Sequence, residues 1–177
     1  MRKLAFASVL GFGLLSSGFA FAGEQYIDNT GFAVSGYDVV SYFDLEDKQA
    51  PVGSPQPAPE RGSFKYVAEY NGANWAFASE ENLKRFKANP AQYVPAYDGH
   101  CAYGASLNGK VPANPLLWRI VDGTLYLNIT PNVVGFWESD IPGNIDKAEH
   151  NWKSLEAVDS PNKAVPDFDS TQAPVQG

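Results

Sequence analysis

The sequence predicts a small single α+β domain, two β-hairpins with several short helices, and three observations carry that expectation. Residues 64–77 alternate apolar and polar positions around Asn71-Gly72, and residues 118–127 do so around Asp122-Gly123. Between and after these runs, apolar residues recur at spacings of three and four. Alternation puts successive side chains on opposite faces of a strand, whereas spacings of three and four share one helix face. Asn-Gly and Asp-Gly tolerate the positive φ of a tight hairpin turn.

The chain opens with a targeting pattern. Arg2 and Lys3 precede an uncharged apolar run, Leu4 to Phe21, and Ala20-Phe21-Ala22 fits a small-x-small cleavage site. Residues 1–22 therefore read as a signal peptide, with a mature N-terminus near Gly23. The alternative is an uncleaved anchor, but the run is about the minimum length for a bilayer span and is weakened by glycine and serine. The expectation is export to a bacterial periplasm or secretion, with no stable membrane insertion after cleavage. Residues 23–157 form the expected domain and residues 158–177 a disordered tail. That tail is polar, holds Pro161, Pro166 and Pro174, and has few apolar anchors.

Each element has its own signal. Gly36 to Phe43 is aromatic and β-branched, a short strand or a tightly packed turn. Six prolines and glycines make Lys48 to Gly62 a loop. Phe64, Tyr66, Ala68 and Tyr70 give the first strand, and Trp75 and Phe77 its partner. Ser79 caps the next helix, Glu80 and Glu81 suit its positive end, and Asn89-Pro90 stops it. Cys101 to Leu107 reads as helical, with Gly109 as terminator. Trp118 to Leu127 is the stronger hairpin. Pro131 opens a short apolar helix, and Ile145, Ala148, Trp152 and Leu155 share the inner face of the last one.

Charge narrows the partners. The formal charge of −7 becomes about −9 once Arg2 and Lys3 leave with the signal. Such a balance argues against nucleic acid or an anionic membrane as partner. The chain holds one cysteine and two histidines. A single cysteine cannot form an internal disulfide, so Cys101 is a packed hydrophobe, a working thiol or half of an intermolecular bridge. It lies in Tyr97-Asp98-Gly99-His100-Cys101-Ala102-Tyr103. If it opens a helix, nearby N–H groups favour the thiolate, and thiolate and imidazole are strong ligands for soft or borderline metals. The opposing reading is a buried inert cysteine beside an idle, exposed His100. His150 falls nearly opposite the buried face of its helix and reads as solvent-facing. Tyr97 and Tyr103 flank the cysteine and are candidate cofactor-binding residues. Asn128-Ile129-Thr130 is a formal glycosylation sequon. No Cys-x-x-Cys, phosphate loop or nucleophile elbow is present.

Tyr70, Gly72, Trp75, Phe77, Ser79, Asn82, Phe86, Asn89-Pro90 and Tyr93 stand at spacings that resemble the YHS domain. Flanking segments GYDVVSYF, DGHCAYGAS, WRIVDGTLYLN and DIPGNIDKA extend the likeness to that family's exported single-domain branch, over roughly residues 34–155. The resemblance implies a fold with treble-clef-like elements, and many YHS domains are held to bind metal. Their usual ligands are cysteines in a Phe-Cys-Ser-x-x-Cys pattern. Here those positions are Ala78 and Asn82, which removes that site. The branch instead carries the motif matched by Asp98 to Ala102, and relatives can hold selenocysteine at the position of Cys101, which implies a working sulfur.

Three functions follow as expectations. The first is binding of a soft metal, copper foremost or zinc, by Cys101 with His100, in an open site or one shared between two copies of the chain. The second is a non-catalytic small-ligand or protein-interaction module. The third is a thiol redox enzyme, and an enzyme is the less expected outcome.

Overall fold

A computed structural model of the protein describes residues 23–160. The expected signal peptide and most of the expected tail lie outside these residues. From Gly23 to Gly62 the backbone pairs through isolated bridges, Ile27 with Ala33 and Tyr37 with Arg61. Two 3₁₀ turns, Val34–Gly36 and Phe43–Lys48, enclose a tightly packed bend in which Val39, Val40 and Tyr42 are fully buried. The segment from Gly36 to Phe43 is thus the turn and not the strand.

Strands β1 (Ser63–Tyr70) and β2 (Ala73–Phe77) form an antiparallel hairpin, with Asn71 and Gly72 both at positive φ. The register slips between Ser63 and Val67. That irregularity breaks the simple alternation of β1 and leaves Phe64 59% exposed, although the sequence pattern places it with Ala68. Helix α1 (Glu80–Ala88) is capped by Ser79, whose Oγ accepts from Asn82 N–H at 3.1 Å. Its Phe86 is buried among the rings of Tyr70, Trp75, Phe77 and Tyr93. The short α2 (Pro90–Tyr93) begins at proline, whose fixed φ suits a first helical position.

After α2 the chain passes through a turn at Ala96–Gly99 and enters α3 (Ala102–Ser106), with Cys101 at its N-cap. Asn108, not Gly109, takes the left-handed conformation that ends this helix (φ 61°). Strands β3 (Asn114–Val121) and β4 (Thr124–Asn128) form the second antiparallel hairpin, closed by Asp122 and Gly123 at φ 50° and 73°. Helix α4 (Pro131–Glu138) is capped by Thr130, and α5 (Ile141–Leu155) by Asp140. Among the described residues no helix is long and apolar enough to cross a membrane.

The side chains sort into two apolar clusters. One gathers the 39–42 bend, the first hairpin, Phe86, Trp118, Leu125, Leu127 and Cys101. The other gathers Tyr97, Ala102, Ala105, Tyr126, Trp137, Ala148 and Leu155. Residues alternate across β4, so Leu125 and Leu127 face one cluster and Tyr126 the other. The stretch 97–106 is a wall between them: Cys101 turns into the first, Tyr97, Ala102 and Ala105 into the second.

Candidate functional site

The wall begins with strained backbone. Tyr97, Asp98 and Gly99 are consecutive left-handed residues, at φ 56°, 51° and 78°. Glycine adopts such angles without cost, but a non-glycine residue pays on the order of 1–2 kcal/mol. Three contacts hold the turn. His100 N–H donates to the Tyr97 carbonyl at 2.9 Å, Tyr26 N–H donates to the Asp98 carbonyl at 2.8 Å, and Gln25 Nε2 donates to Asp98 Oδ1 at 2.7 Å.

Cys101 opens α3 as the sequence suggests, and its environment is the reverse of activating. The side chain is 1% exposed. Its Sγ accepts from Gly104 N–H at 3.4 Å, and its thiol donates to Asn128 Oδ1 at 3.5 Å. Asn128 Oδ1 also accepts Tyr103 N–H at 3.1 Å, so one buried amide oxygen ties the cysteine to the first turn of α3. Burial pushes the thiol above its ordinary pKa; the backbone N–H groups of Gly104, Ile129 and Tyr103 pull it back only in part. The expected lowering at a helix start is therefore overturned by desolvation, since a five-residue helix offers little dipole against a fully buried sulfur.

His100 is neither exposed nor idle. It is fully buried, with its ring against Tyr26 and Trp152 at centroid distances of 5.6 and 5.7 Å. Nδ1 faces the Tyr97 carbonyl at 2.8 Å and Nε2 faces Ser160 Oγ at 2.9 Å. A carbonyl only accepts, which assigns the proton to Nδ1 and leaves Nε2 to accept from the serine hydroxyl. Burial lowers its pKa to about 4, so the ring is neutral at physiological pH. Both nitrogens of His100 are thus engaged away from Cys101. Adjacent residues in extended backbone point apart, and here they point into different surroundings.

The tyrosines also divide. Tyr97 is buried, packs against Tyr126 and Trp152, and its hydroxyl is enclosed without a hydrogen-bond partner among the described residues. Tyr103 stacks on Phe136 at 5.9 Å, and only its backbone reaches the Asn128 oxygen near Cys101. His150 is exposed on α5, as its helical phase indicates. Among the described residues no group of three or more His, Cys, Asp or Glu side chains is arranged to hold a metal ion.

Two site residues were not legible. Asn128, read only as a sequon, is 2% exposed and occupied with the cysteine, which leaves it no room for a glycan in the folded state. Asp38 is fully buried, and its carboxylate accepts Val40 N–H at 2.9 Å, Ala78 N–H at 2.8 Å and Asn82 Nδ2 at 2.7 Å. Ala78 and Asn82 are the positions of the missing cysteine pair. A carboxylate knot from the N-terminal bend fills that corner, and burial raises the Asp38 pKa against the pull of these donors.

Residues 59–97, from the end of the proline-rich loop through the first hairpin, α1 and α2 to Tyr97, match the family model described as YHS domain. Over that stretch the chain is similar to a YHS domain. No curated protein and no solved structure matches it. The YHS match stops four residues short of Cys101, so the wall, the second hairpin, α4 and α5 lie beyond it. YHS domains are associated with metal binding. Around the Cys101 sulfur, outside that match, stand one amide oxygen and backbone N–H groups. Only the thiol and the amide oxygen carry lone pairs for an ion, the N–H groups do not, and two buried donors do not make a closed four-ligand centre.

Proposed function

We propose that this protein, acting after export, binds a soft metal ion through the Cys101 sulfur, Cu(I) foremost and Zn(II) next. The observation that supports it is the thiol proton shared between Cys101 Sγ and Asn128 Oδ1. An ion that takes that proton's place meets a sulfur and an oxygen donor, with Gly104 N–H at hand to steady the thiolate. His100, engaged on both nitrogens, serves the fold and not the ion in this reading. Because the sulfur is buried, uptake is expected to be slow.

The test is a titration of Cu(I), Cu(II) and Zn(II) into wild type, Cys101→Ala and His100→Gln, with a competing chelator present. Loss of at least about tenfold in Cu(I) affinity on removing the thiol is expected, since 1.4 kcal/mol is tenfold. Equal affinity of wild type and Cys101→Ala ends the proposal.

A second reading is favoured by the depth of the cysteine itself: a non-catalytic ligand or interaction module. An apolar recess of about 310 Å³ between Pro55, Leu117, Pro131 and Val134 offers such a module a surface. On that reading no ion binds, and Cys101 resists alkylation in the native state whatever ion is added.

A further inference from the structure

Residues 23–26 lie across the strained turn, and their first residue is the most confined. A Cβ added to Gly23 would run into Asp98 Oδ2, and would come within 2.8 Å of Glu156 Cγ and 2.9 Å of the Glu156 carbonyl oxygen. No larger residue fits there. The backbone nitrogen of Gly23 donates to Glu156 Oε1 at 3.3 Å. Asp98 Oδ2, pressed against the same glycine, is shut off from solvent and has no hydrogen-bond partner among the described residues. The Gly23 backbone therefore lies against two carboxylates, and its single N–H serves the Glu156 one.

An amide nitrogen has no more to give, but an α-ammonium carries three protons and a positive charge. The small-x-small pattern Ala20-Phe21-Ala22 ends at this residue. We propose that cleavage between Ala22 and Gly23 creates an α-ammonium that docks on Asp98 and Glu156, locking the new N-terminus onto the turn that carries His100 and Cys101. The step is a hydrolysis by a leader peptidase: water supplies the hydroxyl taken by the Ala22 carbonyl carbon, and the Gly23 nitrogen takes the proton. The proposal rests on the export reading, and its docking half does not depend on metal binding.

The surroundings favour the charge. Burial, with the Glu156 carboxylate beside it, raises the Asp98 pKa, and a docked cation would relieve that. Glu24, Asp159 and Lys153 line the same cleft, so with Glu156 its acidic residues outnumber its one lining cation. Lys110, the other cation nearby, is occupied: its Nζ donates to the carbonyls of Glu156 and Val158 at 3.2 and 2.6 Å. The same N-terminal segment then reaches His100, since Glu24 Oε2 accepts Ser160 N–H at 2.7 Å and Ser160 Oγ meets the imidazole.

Two measurements separate cleavage from docking. The intact mass of protein exported by cells carrying the full gene is expected to begin at Gly23; any other start overturns the cleavage. Docking is read on protein made to begin at Gly23 by cutting a fusion in vitro. Its α-amine is expected to titrate at least one unit above the ordinary value of about 7.7–8.0. Asp98→Asn, which keeps an acceptor for Gln25, should reverse much of that shift, and so should Glu156→Gln if the first variant folds poorly. An α-amine with an ordinary pKa, or one that neither variant moves, overturns the docking.

Discussion

His100 shows what one buried titratable side chain does to the whole protein. Its pKa falls from the ordinary 6.5 to about 4 on folding. Between those values the unfolded chain binds more protons than the folded one, so stability rises with pH. The contribution is complete above about pH 6.5 and is lost as pH falls towards 4, with an upper bound near 3 kcal/mol at 1.36 kcal/mol per unit. Asp38 and Asp98, whose pKa values are raised, act with the opposite sign and gain stability as pH falls. Denaturant unfolding of wild type and His100→Gln from pH 7.5 to 4 isolates the effect: the stability gap should shrink with acid, and a pH-independent gap would contradict it. None of this was legible in the sequence. A histidine beside a cysteine suggests a ligand pair, and only the three-dimensional partners of Nδ1 and Nε2, one of them 60 residues away, show otherwise. The left-handed Tyr97 and Asp98 were equally hidden, because tertiary contacts and not residue type impose their φ.

Elements were far more legible, because hairpins and capped helices announce themselves locally. Asn71-Gly72, Asp122-Gly123, Ser79 and Pro131 each work within a few residues of where they stand. The bulge in β1 escaped, since a register slip follows from the partner strand and turns Phe64 outward. The knot at Asp38 escaped for the same reason: its partners Ala78 and Asn82 lie 40 and 44 residues on. It pins the N-terminal bend to the end of β2 and the first turn of α1. Asp38→Ala is expected to cost about 2–4 kcal/mol, as it strands two buried backbone N–H groups and an amide. In a double-mutant cycle with Asn82→Ala, chemical denaturation should give a coupling of about 1–2 kcal/mol, and strict additivity would refute the knot.

At the scale of the whole molecule, hydrogen bonds run past the expected boundary at residue 157. Lys110 holds the Val158 carbonyl, Ser160 holds both His100 and Glu24, and Lys110 lies 5.3 Å over the Trp152 ring. Polar composition hid these anchors, because they are single hydrogen bonds and not apolar contacts. Deleting residues 157–177 should remove about 1–2 kcal/mol, a fall in Tm of roughly 3–8 °C by calorimetry. An unchanged Tm would show that residues 157–160 contribute nothing. The loss should fall first on Lys110 and His100, whose hydrogen bonds to the Val158 carbonyl and to Ser160 would go.

The meeting of Gly23 with Glu156, and of Glu24 with Ser160, also means that the domain is nearly a closed ring. A short polar linker could join those two ends, and the chain could be reopened in the exposed stretch from Pro51 to Pro55. Such a circular permutant would keep both hairpins and both apolar clusters while having no free amine at Gly23. It would turn a question about protein maturation into one about topology.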